Sequence, residues 1–243
     1  MVPQIAVIDT GVDPNHPFLK GVVKGGVGIA STSGDPWKSE FSDVAGHGTA
    51  VASIIHSFCP EAELYSVRIA RERDGVFEAH VCQQDIAEAI HWSLDQRIRV
   101  INVSYSVEAP PDQGSQLEAS CMRAASAGAV VIASYRNRDP AVVLPAALPT
   151  AIGVHRDLDL APGMVRILNE RNKDVACWGG NSPVAYLGGT TAILGGTSFS
   201  SAHITAMIGR MLFVDNTVDL ERAFRLLVEF SRRKGADSRG NNR

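Results

Sequence analysis

Gln4-Ile5-Ala6-Val7-Ile8-Asp9-Thr10-Gly11 places an apolar run directly before a carboxylate and a turn glycine. A short run that is apolar at every position suits a strand covered on both faces of its sheet. Further strand-like runs, mostly apolar, recur at 64–69, 100–103, 129–133 and 151–154. Between them, apolar residues repeat with helical period over 47–58, 85–94, 114–127, 198–213 and 218–230. In the first of these, Val51, Ile54, Ile55 and Phe58 fall at i, i+3, i+4 and i+7. Strand-like runs alternating with helices predict an α/β domain: a three-layer, doubly wound, mostly parallel sheet flanked by helices. In such sheets ligands meet the carboxyl ends of the strands. Asp9 stands at one of those ends.

Composition limits what the domain does. The 243 residues are 45% hydrophobic and 20% charged, which excludes disorder as the main state and suits one folded domain over 1–231. Net charge is −3, and a sequence pI of 6.2 argues against nucleic acid as a partner. The segment 232–243 holds five basic residues and one Asp, and reads as a flexible basic tail. No apolar run approaches the roughly 18–20 residues of a membrane span. The start shows no signal-peptide pattern, so a cytoplasmic location is expected. Cys59, Cys82, Cys121 and Cys177 match no zinc spacing or disulfide framework, and read as buried, reduced thiols.

Three motifs carry chemistry. Asp9-Thr10-Gly11 is also how an aspartic protease presents a carboxylate, but that mechanism needs two of them, hence a dimer of this chain. Gly46-His47-Gly48 sets a histidine at the head of an amphipathic helix, between glycines that permit close approach. Gly195-Gly196-Thr197-Ser198 delivers a serine to the start of a long helix. There the backbone N–H points outward and the helix dipole favours negative charge, as an oxyanion requires. No Lys follows these glycines, which disfavours a Walker-type phosphate loop. The Gly-x-Ser-x-Gly elbow of α/β-hydrolase esterases is absent around Ser198.

Asp, His and Ser in that order, on an α/β scaffold, resemble the subtilisin-like serine proteases (the subtilase family, peptidase S8 type). The resemblance runs nearly end to end: AVIDTGVDPNHPFL, GHGTAVASII, RVINVSYS, GAVVIASYRN, LPAALPTAIGV and GGTSFSSAHITA are each similar to a family segment. It implies a serine endopeptidase acting on a peptide or protein substrate, with catalytic residues Asp9, His47 and Ser198. It also implies an oxyanion hole formed by Asn137 and the Ser198 N–H, and a substrate edge at Ser104, Tyr105 and Ser106. His16, His203 and Asp13 fall inside the matched segments and read as structural. A catalytically weak regulatory module on the same fold is the alternative.

Departures from the family shape further expectations. Arg136 stands where Gly usually precedes the oxyanion Asn, Ser106 stands where Gly is frequent, and Val143 occupies a pocket-floor position that is often Gly. Val143 implies a narrow first pocket, and Arg136 and Arg138, flanking Asn137, favour an acidic group; small or acidic residues are therefore expected there, and with them a dedicated role in precursor or partner processing. Phe18 replaces a calcium-ligating Asp, and the chain passes directly from Phe58 to the run at Leu64, so no metal and no cofactor are expected. Asp9 lies close to Met1, so the family's inhibitory propeptide is not expected ahead of it.

Overall fold

The computed structural model describes residues 2–29, 37–38, 40–73, 76–78, 81–109, 116–136 and 142–240, except for the side chains of 37–38, 71–73, 76–78 and 234–240. Along the first half run β1 (Gln4–Asp9), β2 (Val23–Ile29), β3 (Trp37–Lys38), α1 (His47–Phe58), β4 (Glu63–Arg68), β5 (Arg71–Arg73), β6 (Val76–Glu78), α2 (Gln83–Asp95), β7 (Val100–Val103) and β8 (Val107–Glu108). The second half adds α3 (Gln116–Ser126), β9 (Val130–Ser134), β10 (Val143–Leu144), β11 (Ile152–Arg156), β12 (Val165–Asn169), β13 (Asp174–Cys177), β14 (Ser182–Tyr186), β15 (Thr190–Leu194), α4 (Thr197–Val214) and α5 (Leu220–Gly240).

Nine strands form one sheet in the order β12-β13-β11-β9-β7-β1-β4-β2-β3. The pairings from β13 across to β2 are all parallel, and the edge strands β12 and β3 pair antiparallel. The predicted doubly wound α/β sheet is therefore present. Strand order reverses between β1 and β7, and a crevice at such a switch point is where open α/β sheets bind ligands.

Alternation along each strand sorts the side chains. Ile5 and Val7 enter one core with residues of α1, α4 and α5, while Ala6 and Ile8 enter the other with residues of α2 and α3. By the same alternation Asp9 belongs to the α1/α4 face. Val51 and Ile55 of α1 are fully buried there, each contributing about 1.5–3 kcal/mol of apolar burial. Asn102 is the polar exception in β7; its Oδ1 accepts the Thr205 hydroxyl at 2.9 Å and its Nδ2 donates to Ser104 Oγ at 2.9 Å.

The structure differs from the sequence expectations in three places. β2 carries three glycines inside its run, which hides it from periodicity; a Cβ on Gly26 would lie 2.2 Å from the Ser66 carbonyl. The stretch between β11 and α4 supplies β12 and β13 of the main sheet, then the β14–β15 hairpin turning through left-handed Gly188 and Gly189. α5 runs Leu220–Gly240, well past the helical period of 218–230 in the sequence. None of the four cysteines is bridged, and Cys82 is half-buried rather than buried. Among the described residues no helix is long and apolar enough to cross a membrane.

Candidate active site

α1 begins at the carboxyl end of β1, and α4 begins beside the last residue of β13. Asp9 is fully buried, and its Oδ1 lies 2.7 Å from His47 Nδ1. The same oxygen accepts the Thr10 N–H at 2.7 Å, while Oδ2 has no protein partner among the described residues. Accepting from Nδ1–H leaves His47 Nε2 as the ring nitrogen able to take a proton. The His47 side chain is 36% exposed, so one edge of the ring stays open.

Burial pulls the His47 pKa down. The charge of Asp9, its hydrogen bond and the charge of Asp43 together outweigh that, and the pKa ends above its ordinary value. Close backbone packing makes the pair possible. A Cβ on Gly48 would lie 2.0 Å from the Gly11 carbonyl oxygen. Gly46 caps α1 in the left-handed region at φ 85, with the Tyr186 ring where a side chain would sit.

Ser198 is the second residue of α4, and it is half-buried. The first ladder bonds run from Phe199 N and Ser200 N to the Gly196 carbonyl, both at 3.2 Å, which leaves the Ser198 N–H outside the ladder. The next residue, Phe199, sets its ring 5.7 Å from the His47 ring, centre to centre. The structure therefore brings His47 to the first turn of α4. Among the described residues, neither Ser198 Oγ nor His47 Nε2 has a hydrogen-bond partner. Such bonds are often long in a free site and tighten with substrate.

Gly195-Gly196 is braced by the segment after β13, which no motif explained. Gly196 N donates to the Gly179 carbonyl at 3.0 Å, and Ser200 Oγ donates to the Cys177 carbonyl at 3.0 Å. A Cβ on Gly179 would lie 2.3 Å from Ser200 Oγ. The paired glycines 179–180 were the sequence signal for this close approach.

Ser104, Tyr105 and Ser106 link β7 to β8 and are half-buried. Ser104 N donates to the Ile8 carbonyl, and Ser134 Oγ donates to the Ser104 carbonyl at 3.3 Å. Burial, then the charges of Asp9 and Asp43, hold the Tyr105 pKa up. Arg136 turns its guanidinium to Glu108 Oε1 at 2.9 Å and to the Ser106 carbonyl at 3.4 Å. Val143 has no exposed surface; it pairs with Glu108 in the two-stranded β8–β10 ribbon and packs in the core. Asn137 lies outside the described residues.

Asp13 Oδ1 accepts the Asn15 N–H in a turn. His16 is buried, with Nδ1 accepting the Phe18 N–H and Nε2 facing the Thr190 carbonyl at 3.0 Å. Phe18 presents an exposed ring edge-on to His56 where a calcium ligand would be needed, so the residues there do not fit Ca²⁺. Among the described residues no three His, Cys, Asp or Glu side chains converge to hold a metal ion.

The family model for the subtilases, peptidase family S8, matches residues 3–229. The chain belongs to the subtilase family. It is 27% identical over 253 residues to the subtilisin-like protease het-Q2 of Podospora anserina, covering 87% of this chain and 69% of that protein. It is 27% identical over 231 residues to subtilisin E of Bacillus subtilis (strain 168), covering 86% of this chain and 55% of that one. The chain thus spans about half the length of that subtilisin. Among solved structures, the S41 psychrophilic protease superposes with a TM-score of 0.75 at 22% identity, covering 96% of this chain and 82% of that one. That likeness shows the shared subtilase fold.

Proposed function

We propose that this subtilase is a serine endopeptidase whose triad is Asp9, His47 and Ser198. The observation that carries the reading is the 2.7 Å contact between His47 Nδ1 and the buried Asp9 carboxylate, set beside the α4 turn that bears Ser198. Ser198 Oγ attacks the scissile carbonyl while His47 Nε2 takes its proton. Asp9 holds the imidazole tautomer and stabilises the imidazolium that forms. The tetrahedral oxyanion is received by the Ser198 N–H at the positive end of α4 and by Asn137. His47 then returns the proton to the leaving amine, and water releases the acyl-enzyme by the same route reversed.

Restricted specificity is part of the proposal. Val143 is fully buried and pairs with Glu108 just past the Ser104–Ser106 edge, and Arg136 brings a cation to that edge. A narrow first pocket favouring small or acidic residues suits processing of a dedicated precursor or partner protein. The domain is taken to span 1–231, acting in the cytoplasm on a peptide or protein substrate. A fluorophosphonate probe with adduct mapping tests the chemistry. Labelling at Ser198 that disappears in Ser198→Ala supports the reading; labelling elsewhere, or none, overturns it. A peptide library dominated by large aromatic or aliphatic residues before the cleaved bond would overturn the pocket assignment.

A further inference from the structure

Asp43 lies four residues ahead of His47 and belongs to none of the motif roles above. Its carboxylate nevertheless accepts five hydrogen bonds. Oδ1 receives Thr10 Oγ1 at 2.6 Å, Ala45 N at 2.9 Å and Gly46 N at 2.8 Å. Oδ2 receives Thr49 N at 2.8 Å and Thr49 Oγ1 at 2.6 Å. α1 needs such an outside acceptor, because its N-cap is Gly46, which has no side chain to satisfy the first free N–H groups. A carboxylate at that end also meets the positive pole of the helix.

The clamp reaches β1 through Thr10. The Thr10 hydroxyl donates to Asp43 and accepts the Gly48 N–H at 2.9 Å, while the Thr10 N–H donates to Asp9 Oδ1. One side chain therefore ties the end of the strand that bears Asp9 to the start of the helix that bears His47. We propose that Asp43 is a positioning residue for the His47–Asp9 pair: it locks the β1–α1 junction and sets a second negative charge behind the imidazole. This rests on the reading of His47 as the general base.

The charge acts on the ring directly. Burial opposes the imidazolium, Asp9 favours it by charge and hydrogen bond, and Asp43 adds a further favourable charge. From the other elements around the site come the apolar Phe199 ring of α4 and the Tyr105 phenol, which burial and these two carboxylates keep protonated. No lysine or arginine among the described residues contributes to the His47 shift. Removing the Asp43 charge therefore lowers the His47 pKa.

Asp43→Asn keeps volume and one acceptor oxygen but removes the charge and one end of the clamp. His47 is titrated by NMR in the wild type and in Asp43→Asn, and kcat and KM are followed against pH with a peptide substrate. The expected result is a His47 pKa lower by about half a unit or more, with the acid limb of kcat/KM moving to lower pH by the same amount. kcat falls about ten-fold or more while KM stays within about two-fold. Thr10→Val cuts the bridge and leaves the charge, so kcat falls while the His47 titration stays where it is in the wild type. That second variant also decides the matter if Asp43→Asn does not fold. Lower melting temperatures with unchanged kcat and an unchanged His47 titration would overturn the proposal. An inactive wild type would instead overturn the peptidase reading, and the NMR titration would still test Asp43.

Discussion

His203 gives the chain an acid-labile point in its core. It sits on α4 at 3% exposure, with the Phe58 ring 4.6 Å away edge-on and the Trp178 ring at 5.8 Å. Neither ring nitrogen has a partner among the described residues. Burial alone pulls its pKa from 6.5 to about 4, so the folded protein holds it neutral where the unfolded chain protonates it. In that window the unfolded state binds more protons, and stability must fall as pH falls. The contribution is intact above about pH 6.5 and is lost progressively down to about pH 4, amounting to about 3 kcal/mol.

The perturbation is His203→Leu, which keeps an apolar side chain in the cage and cannot titrate. Urea unfolding at pH 7, 5.5 and 4 measures both proteins. Other titrating groups, including His56, His91 and His155, which burial likewise holds down, are common to both and cancel in the difference. Wild type should lose about 3 kcal/mol more than His203→Leu between pH 7 and pH 4. At pH 7 the variant should be at least as stable, because it removes two unpartnered polar atoms. Parallel losses across the pH range would refute the reasoning and imply that solvent already reaches the ring.

Three further outcomes follow from contacts already described. Gly48→Ala drives a Cβ to 2.0 Å from the Gly11 carbonyl oxygen, so it should cost about 2 kcal/mol or more and weaken the His47–Asp9 contact, as read by a thermal melt and an activity assay. Glu108→Ala removes the carboxylate 2.9 Å from Arg136; because such exposed pairs are worth at most about 1 kcal/mol, preference for an acidic residue before the cleaved bond should rise no more than about five-fold in a peptide library. EDTA should leave the melting temperature unchanged, since Phe18 presents a ring where a calcium ligand is needed; a clear drop would contradict this.

Asp9, His47 and Ser198 stand out in the sequence as candidates because each carries a local signature. A carboxylate ends an apolar run, glycines flank a histidine at a helix start, and paired glycines lead to a serine N-terminal to a long helix. The α/β class was legible for the same reason, since strand and helix periods are local properties. Asp43 was not. It stands in an ordinary polar stretch, and three of its five bonds exist only once Thr10 and Thr49 are brought to it by folding. β2 was hidden by Gly25 and Gly26, whose backbone pairs well without apolar side chains to report it. β12 was hidden because it is an edge strand with mostly exposed positions, so no apolar run marks it.

The sequence by itself determined which groups exist and at which element ends they stand. Tertiary structure decided which of them meet. Asp9 and His47 share a face because β1 alternates Ile5, Val7 and Asp9 toward α1 and α4, and because glycine at 48 lets the helix start touch the strand end. Arg136, an open question in the sequence, swings to Glu108 and the Ser106 carbonyl because β7 and β9 are parallel neighbours whose exit segments run side by side. A contact between residues far apart in the chain depends on sheet order and helix docking, and those are set by burial summed over the whole core rather than by any one motif.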